Sequence, residues 1–153
     1  MRGLLVLLLC FLLCGFTLAR VSDGDTIVVK SDKDLLKVRL YGIDCPEIEQ
    51  PQGEQAKGLV AALMAPGSGV QLEAVDVDRF GRTVAIVTLP DGSILQERLL
   101  SEGFAWVFDR YCKRPECAGW RELESAARMG GVGMWAGEPI PPWEWRKRHT
   151  RRR

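Results

Sequence analysis

The residues of this chain with the clearest potential for chemistry lie in one short stretch, Val38-Arg39-Leu40-Tyr41-Gly42-Ile43-Asp44-Cys45-Pro46-Glu47. An alternating strand pattern leads into a glycine, and two carboxylates follow at a strand end that a proline marks. Arg39 therefore precedes Asp44 and Glu47 within ten residues. These three residues are the centre of the predicted site.

Asp25 and Arg82 are the expected partners of this stretch, because each stands beside a hairpin turn signal, Asp23-Gly24 and Asp78-Arg79-Phe80-Gly81. Carboxylates and backbone carbonyls are the ligands that Ca²⁺ prefers. Guanidinium groups grip phosphate oxygens through paired hydrogen bonds and keep their charge near neutral pH. The three carboxylates, Asp25, Asp44 and Glu47, therefore predict a hard-cation site. Arg39 and Arg82 predict a phosphate clamp next to it.

Two neighbouring strands could bring Asp25 and Asp44 to one end of a barrel, with the carbonyl of Cys45 beside them. Glu47, one step further out, could hold a water molecule and accept its proton, which would make the water a better nucleophile. The only histidine is His149, close to the carboxyl end. We therefore discount hydrolases that depend on a histidine base.

Apolar periodicity predicts the elements that must position these residues. We expect strands over 16–21, 26–30, 35–41, 70–77 and 82–89, and an amphipathic helix through 56–64. Ser93 and Gln96 resemble a capping box for a short helix that Gly103 ends, and a last helix runs from Gly119 to Gly130. Five strands and about three helices predict an α+β fold built on a small barrel.

The 153 residues, 46% of them hydrophobic, are enough for one domain, which we place at 16–136. Residues 137–153 are a Pro/Trp-rich segment and a basic tail, and we expect Pro139–Trp145 to be extended with its indoles packed on the domain. Six of the last eight residues are basic. Such a tail either touches nucleic acid or anionic lipid, or is a solvated end.

Residues 1–15 resemble an export signal, since Arg2 precedes an apolar run from Leu4 to Leu13. Cleavage after Gly15 would spare the first strand, whereas cleavage after Ala19 would shorten it. We expect a periplasmic or secreted protein that meets the membrane only through this segment. The alternative is a membrane-anchored protein whose amino-terminal segment is not cleaved.

Five cysteines are present, and Cys10 and Cys14 lie in the signal segment. Export to an oxidising compartment predicts a local disulfide between Cys112 and Cys117, with Cys45 left as a free thiol. A zinc site is the rival interpretation. Zinc requires about four Cys or His ligands, and the single histidine of the sequence lies near the end of the chain. The sequence therefore favours the disulfide over a zinc site.

Taken together, these motifs resemble the staphylococcal nuclease family, in the family's order and at compatible spacings over roughly residues 16–136. The motifs are Asp23-Gly24-Asp25-Thr26, Arg39-Leu40 with Asp44-Cys45-Pro46-Glu47, and Asp78-Arg79-Phe80-Gly81-Arg82. The resemblance implies a five-stranded OB-fold barrel with helices. It also implies a Ca²⁺-dependent phosphodiesterase that cuts DNA and RNA to leave 3′-phosphate ends.

The resemblance assigns Asp25, Asp44 and the Cys45 carbonyl to calcium, Glu47 to the role of general base, and Arg39 and Arg82 to phosphate. Arg79 and Phe80, with Tyr111, stand for the family's nucleotide pocket. Threonine is common in the family at the position of Cys45, which matters little if only the carbonyl binds. The rival function is an OB-fold module that binds single-stranded nucleic acid without cutting it. Neither interpretation requires a protein partner, and we expect a monomer.

Overall fold

The computed structural model of the protein describes residues 15–150. Within that range there are seven strands, β1 Phe16–Asp23, β2 Thr26–Ser31, β3 Asp34–Leu40, β4 Ile43–Asp44, β5 Gly69–Val77, β6 Thr83–Thr88 and β7 Trp106–Val107. The helices of the same range are α1 Gly53–Leu63, α2 Leu95–Ser101, α3 Glu116–Met129 and α4 Pro142–Thr150, with a 3-10 turn at Gly133–Ala136. The predicted signal core lies outside the described residues.

Five of these strands form a closed barrel in the order β1-β2-β3-β6-β5. All neighbours are antiparallel except β3 and β6, which pair in parallel through a crossover that contains α1 and β5. The barrel and its helices confirm the predicted α+β OB-fold class. The two-stranded pair of β4 and β7 lies outside the barrel and had no clear sequence signal, since each strand is two residues long.

Strand register explains how the barrel positions the candidate site. Arg39 in β3 is opposite Thr26 at the start of β2 and opposite Val84 in β6. The backbone N–H of Leu40 donates to the carbonyl of Asp25 at 2.8 Å, which fixes the β1–β2 turn against the end of β3. Asp25 and Arg39 are therefore neighbours at one end of the barrel, as the sequence predicted.

The core consists of the inward faces of the barrel strands and the apolar sides of α1, α2 and α3. Alternation in β2 and β3 places Ile27, Val38 and Leu40 fully inside. Trp120 of α3 is also buried, and its indole N–H donates to Glu97 of α2 at 3.2 Å. The helices thus cover the barrel, and α1 reaches the end that carries Asp25, where a Cβ on Gly24 would lie 2.9 Å from the Cβ of Ala56.

The predicted capping box at Ser93 and Gln96 is wrong. The residue before α2 is Ile94, with no side-chain cap, and the Ser93 hydroxyl donates instead to Asp91 at 2.6 Å. Gln96 is fully buried, donates to the carbonyl of Ala85 at 2.9 Å and accepts from the N–H of Val87 at 3.2 Å. Its side chain therefore satisfies buried backbone groups of β6 rather than the helix end.

The segment expected to be extended is partly helical, because α4 begins at Pro142. Proline is well suited to the first position of a helix, where its missing N–H has no partner to lose. The Trp143 indole stacks on Phe108 with ring centres 5.3 Å apart, so this indole packs on the domain as expected. The Trp145 indole stacks instead on His149 of the same helix at 4.0 Å.

None of the helices in the described range, 15–150, has the length and apolar character needed to cross a membrane.

Candidate active site

Two buried carboxylates form the base of the site. Asp25 lies in the β1–β2 turn and is 3% exposed, and Asp44 in β4 is 0% exposed. Burial of a carboxylate is unfavourable unless it finds a positive charge or hydrogen-bond donors. The arrangement around these two side chains supplies both.

Arg39 joins the two carboxylates. Its Nη1 donates to Asp25 Oδ1, and its Nη2 donates to Asp44 Oδ1 at 2.8 Å. The backbone N–H of Cys45 donates to the second oxygen, Oδ2, of Asp25 at 2.7 Å. The structure therefore brings together four of the residues predicted from the sequence, through direct contacts that the sequence could not specify.

Burial and neighbouring charges shift the pKa values of Asp25 and Arg39 at the base of the site. Burial raises the pKa of Asp25 to about 8; Arg39 opposes this effect, while Asp23 and Asp44 add to it. Burial acts to lower the pKa of Arg39, but the charges of Asp25 and Asp44 outweigh burial and raise it. Arg39 thus keeps its charge, whereas Asp25 holds its proton more tightly than a free carboxyl because the effect of burial exceeds the attraction of this guanidinium.

Glu47 lies at the mouth of the site, with a side chain 41% exposed. Its backbone N–H donates to the Gln50 side chain at 3.1 Å, and Gln50 donates in turn to the carbonyl of Ile140. Gly53 approaches so closely that a Cβ there would lie 1.9 Å from the Glu47 carbonyl oxygen. This tight turn holds the Glu47 backbone next to the buried pair while its carboxylate remains accessible to solvent.

Arg146 of α4 is the site residue that sequence reasoning missed. Its Nη2 donates to Asp44 Oδ2 at 2.7 Å and its Nη1 donates to Glu47 Oε1 at 2.5 Å. The sequence analysis assigned this residue to the basic tail. The available signal was Pro142 as a helix start, because a helix from that position places Trp143 and Arg146, three residues apart, on one face.

Arg82 is not in contact with the three carboxylates in the described part of the chain. Its Nε donates to Asp78 Oδ2 at 2.6 Å, within the β5–β6 turn. Burial acts to raise the pKa of Asp78, but the hydrogen bonds from the Arg82 backbone and side chain and from the Phe80 backbone together outweigh it and lower the pKa. The predicted phosphate clamp is therefore divided, with Arg39 inside the site and Arg82 paired on the turn.

The residues predicted for a nucleotide pocket fall into two places. Phe80 is 69% exposed at the tip of the β5–β6 turn, with the guanidinium groups of Arg79 and Arg82 at 4.8 and 5.4 Å from its ring centre. Tyr111 is 57% exposed and packs edge-on against Phe108 at 5.0 Å. Phe108 also stacks on Trp143, so Tyr111 belongs to the aromatic cluster that holds α4.

The cysteines follow the prediction. Cys112 and Cys117 form a disulfide beside Trp120 and Gly42, so the zinc alternative is wrong for this pair. Cys45 is a buried free thiol, and burial raises its pKa.

The carboxylates of the site fit a hard cation by their chemistry. Asp25, Asp44 and Glu47 offer only oxygen atoms, and Asp44 and Glu47 already converge on one positive group, the Arg146 guanidinium, which stands where a cation would gain most. As the side chains are arranged, no group of three or more His, Cys, Asp or Glu residues within 15–150 could hold a metal ion.

Comparison with known proteins gives a consistent result. The family model for the staphylococcal nuclease homologue matches residues 37–137. Among similar proteins, an uncharacterized endonuclease of Escherichia coli O157:H7 is 35% identical over 130 residues, which cover 84% of this chain and 82% of that protein. The probable staphylococcal-like nuclease CAN2 of rice (Oryza sativa subsp. japonica) is 36% identical over 134 residues. That match covers 87% of this chain but 34% of the rice protein, so the chain corresponds to about a third of its length.

Proposed function

The chain belongs to the staphylococcal nuclease family, and on that basis we propose that it is a Ca²⁺-dependent nuclease that hydrolyses DNA and RNA to leave 3′-phosphate ends. The observation that carries the proposal is that Arg39 joins the buried carboxylates of Asp25 and Asp44 at one end of the barrel, and that Arg146 joins Asp44 to the accessible Glu47. Two buried carboxylates and one accessible carboxylate correspond to two different tasks, cation binding and proton transfer.

In the proposed mechanism Asp25, Asp44 and the Cys45 carbonyl hold the cation. When bound, a divalent ion supplies positive charge that polarises water and phosphate oxygens. Glu47, at the mouth, orients the attacking water and accepts its proton. The Glu47 side chain is 41% exposed, so water reaches it, whereas Asp44 is fully enclosed.

Arg39 and Arg82 bind the phosphodiester in this proposal. The Arg39 side chain is 19% exposed, so it remains partly accessible to a substrate while it holds the buried carboxylates. Arg82 would exchange Asp78 for a phosphate oxygen. Both side chains of this pair are partly exposed, so a phosphate from solution can compete with Asp78 for the guanidinium.

A second candidate function is binding of single-stranded nucleic acid without cleavage. Phe80 supports it, because an exposed ring flanked by two guanidinium groups is suited to stacking on a base and pairing with its phosphates. In the nuclease proposal the same surface holds the substrate, with Arg79 and Tyr111 assisting. Cleavage is what separates the two functions.

The experiment is digestion of single-stranded DNA, duplex DNA and RNA by the purified protein, with Ca²⁺, with Mg²⁺ and with chelator. We expect both nucleic acids to be cut only with Ca²⁺. The product ends should block polymerase extension until a phosphatase removes the 3′-phosphate. Binding without cleavage under all three conditions would favour the second candidate.

The role of Glu47 is tested by Glu47→Gln, which keeps the shape of the side chain and removes its basicity. We expect cleavage to fall by about 10²–10⁴-fold, the usual contribution of a general base. Glu49→Gln, two residues away and exposed, is the matched control and should cut normally. Near-normal cleavage by Glu47→Gln would reject the assignment.

We also propose that the protein is exported, on the basis of the amino-terminal segment and the disulfide at Cys112 and Cys117. Disulfides persist in oxidising compartments. The mass of the protein recovered from the periplasm or the medium would show whether cleavage occurs after Gly15, after Ala19 or not at all. Recovery of the protein only from the cytoplasm, with both thiols reduced, would contradict export.

A further inference from the structure

The contact between α4 and the carboxylates gives this site a partner from its own chain. Arg146 donates to Asp44 Oδ2 at 2.7 Å and to Glu47 Oε1 at 2.5 Å, and its Nη1 also lies 3.3 Å from Asp44 Oδ1. The same guanidinium therefore holds a proposed metal ligand and the proposed general base.

We propose that Arg146 is a tethered cation that competes with the divalent metal for Asp44 and Glu47, so that the metal binds only as the guanidinium withdraws. The inference rests on the proposed function, since it concerns the affinity of the same metal site. It adds an element that the catalytic assignment does not contain, a built-in competitor carried by the carboxyl-terminal helix.

The oxygen atoms of Asp44 show why the two cations exclude each other. Oδ1 accepts from Arg39 at 2.8 Å and Oδ2 accepts from Arg146 at 2.7 Å, so both oxygens have a guanidinium partner. A Ca²⁺ ion requires ligand oxygens at about 2.3–2.6 Å. A guanidinium bonded to the same oxygen would be held against the ion, and two like charges at that distance repel strongly.

Exposure indicates which guanidinium yields. The Arg39 side chain is 19% exposed and pairs with Asp25 as well as Asp44, so its withdrawal would leave two buried carboxylates without it. The Arg146 side chain is 41% exposed, and so is that of its second partner, Glu47. Both can return to water, so exchange of Arg146 for a metal ion costs far less.

The helix itself has an independent attachment. Trp143 stacks on Phe108 with an angle of 2° between the rings and packs edge-on against Trp106 at 6.3 Å. The Gln50 side chain holds the carbonyl of Ile140, just before α4. Because these contacts do not involve the carboxylates, Arg146 can withdraw while α4 stays attached, which keeps its effective concentration at the site high.

The test is calorimetric titration of Ca²⁺ into the full chain, in the wild type, Arg146→Gln and Arg148→Gln. Arg148 lies on the same helix, is exposed, and removes the same charge when replaced, so it controls for long-range electrostatics. We expect Arg146→Gln to bind Ca²⁺ about tenfold more tightly, the order of magnitude of a partly exposed paired contact, and Arg148→Gln to stay within about twofold of the wild type. Arg146→Lys keeps the charge but loses the forked geometry of the guanidinium. Its Ca²⁺ affinity should lie between those of the wild type and the glutamine variant.

A change of Ca²⁺ affinity in the opposite direction would overturn the inference. Weaker Ca²⁺ binding by Arg146→Gln would mean that Arg146 positions the carboxylates for the metal, and unchanged affinity with normal Ca²⁺-dependent cleavage would reject competition while leaving the proposed function intact. No Ca²⁺ binding by any variant, with no cleavage by the wild type, would reject both.

Discussion

Arg39 offers the sharpest test of how the barrel end is held together, through the variant Arg39→Met. Methionine has similar length but no charge, so it removes the contacts to Asp25 and Asp44 without leaving a large cavity. Asp44 keeps Arg146 at 2.7 Å, while Asp25 keeps only the Cys45 N–H at 2.7 Å and a long 3.4 Å contact from the Thr26 hydroxyl. The loss therefore falls mainly on Asp25.

Removing one partner of a buried ion pair costs about 3–5 kcal/mol, because a charge remains buried without compensation. Since Asp44 retains a guanidinium, we expect the lower end, about 3 kcal/mol. The assay is urea unfolding in chelator at about pH 9, above the pKa of about 8 of Asp25, where this carboxyl is charged in the folded wild type. For a slope of about 2 kcal/mol per molar urea, this loss moves the midpoint down by about 1.5 M.

The pH dependence gives a second signature of the same cause. Arg39 lowers the pKa of Asp25 against a larger rise from burial, and the balance is about 8. Without Arg39 this pKa rises further, so above pH 8 the folded variant holds a proton that the folded wild type has released. The difference in unfolding free energy between wild type and variant should therefore widen as pH rises through about 8.

Arg20→Met is the matched control, because Arg20 is exposed and contacts only Ser22, at 3.2 Å, among the described hydrogen bonds. It should change stability by less than about 0.5 kcal/mol. A loss below about 1 kcal/mol for Arg39→Met, or a difference that does not depend on pH, would refute the conclusion that Arg39 compensates the buried carboxylates.

Three further predictions concern single positions. Cys45 should resist iodoacetamide in the native protein at pH 8 and react fully after unfolding, because burial shields the thiol and raises its pKa; rapid native labelling would contradict its burial. Gly42→Ala should lower the free energy of unfolding by about 2 kcal/mol or more in thermal unfolding, because its φ is +70° and a Cβ would lie 2.7 Å from the Cys112 sulfur. Gly81→Ala is the control, and it should cost about 1 kcal/mol because its φ is +75° but the space around it is open. Phe80→Ala should weaken binding of single-stranded DNA in chelator by about 1–3 kcal/mol, and equal affinity would exclude this ring from the substrate surface.

The barrel could be predicted from the sequence because its strands carry period-two alternation and strong turn signals. Ile27, Val38 and Leu40 lie inside as that alternation requires. Gly103 ends α2 with a positive φ of +72°, as a glycine beyond a helix end should. Gln96 was misassigned because a local capping pattern and a tertiary hydrogen bond to β6 use the same side chain, and only packing decides between them.

The site could be predicted in part for a related reason. Asp25, Arg39 and Asp44 come together because strand pairing fixes them, and pairing follows from hydrophobic pattern. Arg146 lies about one hundred residues further along the chain than Asp44, and no local pattern connects the two. Its position depends on how Trp143 docks, which is a matter of tertiary packing.

The charges at this barrel end divide into a fixed part and an exchangeable part. Arg39 serves the carboxylates that water cannot reach, so the fold requires it. Arg146 serves Glu47, which water does reach, and the outer oxygen of Asp44. Any ligand that brings a positive charge to this end must replace the guanidinium of Arg146 rather than that of Arg39. Only the displaced Arg146 and its partner Glu47 can both return to water. The Arg39 contact on Oδ1 of Asp44 thus stabilises the fold, and the Arg146 contact on Oδ2 is the one that a bound cation would replace.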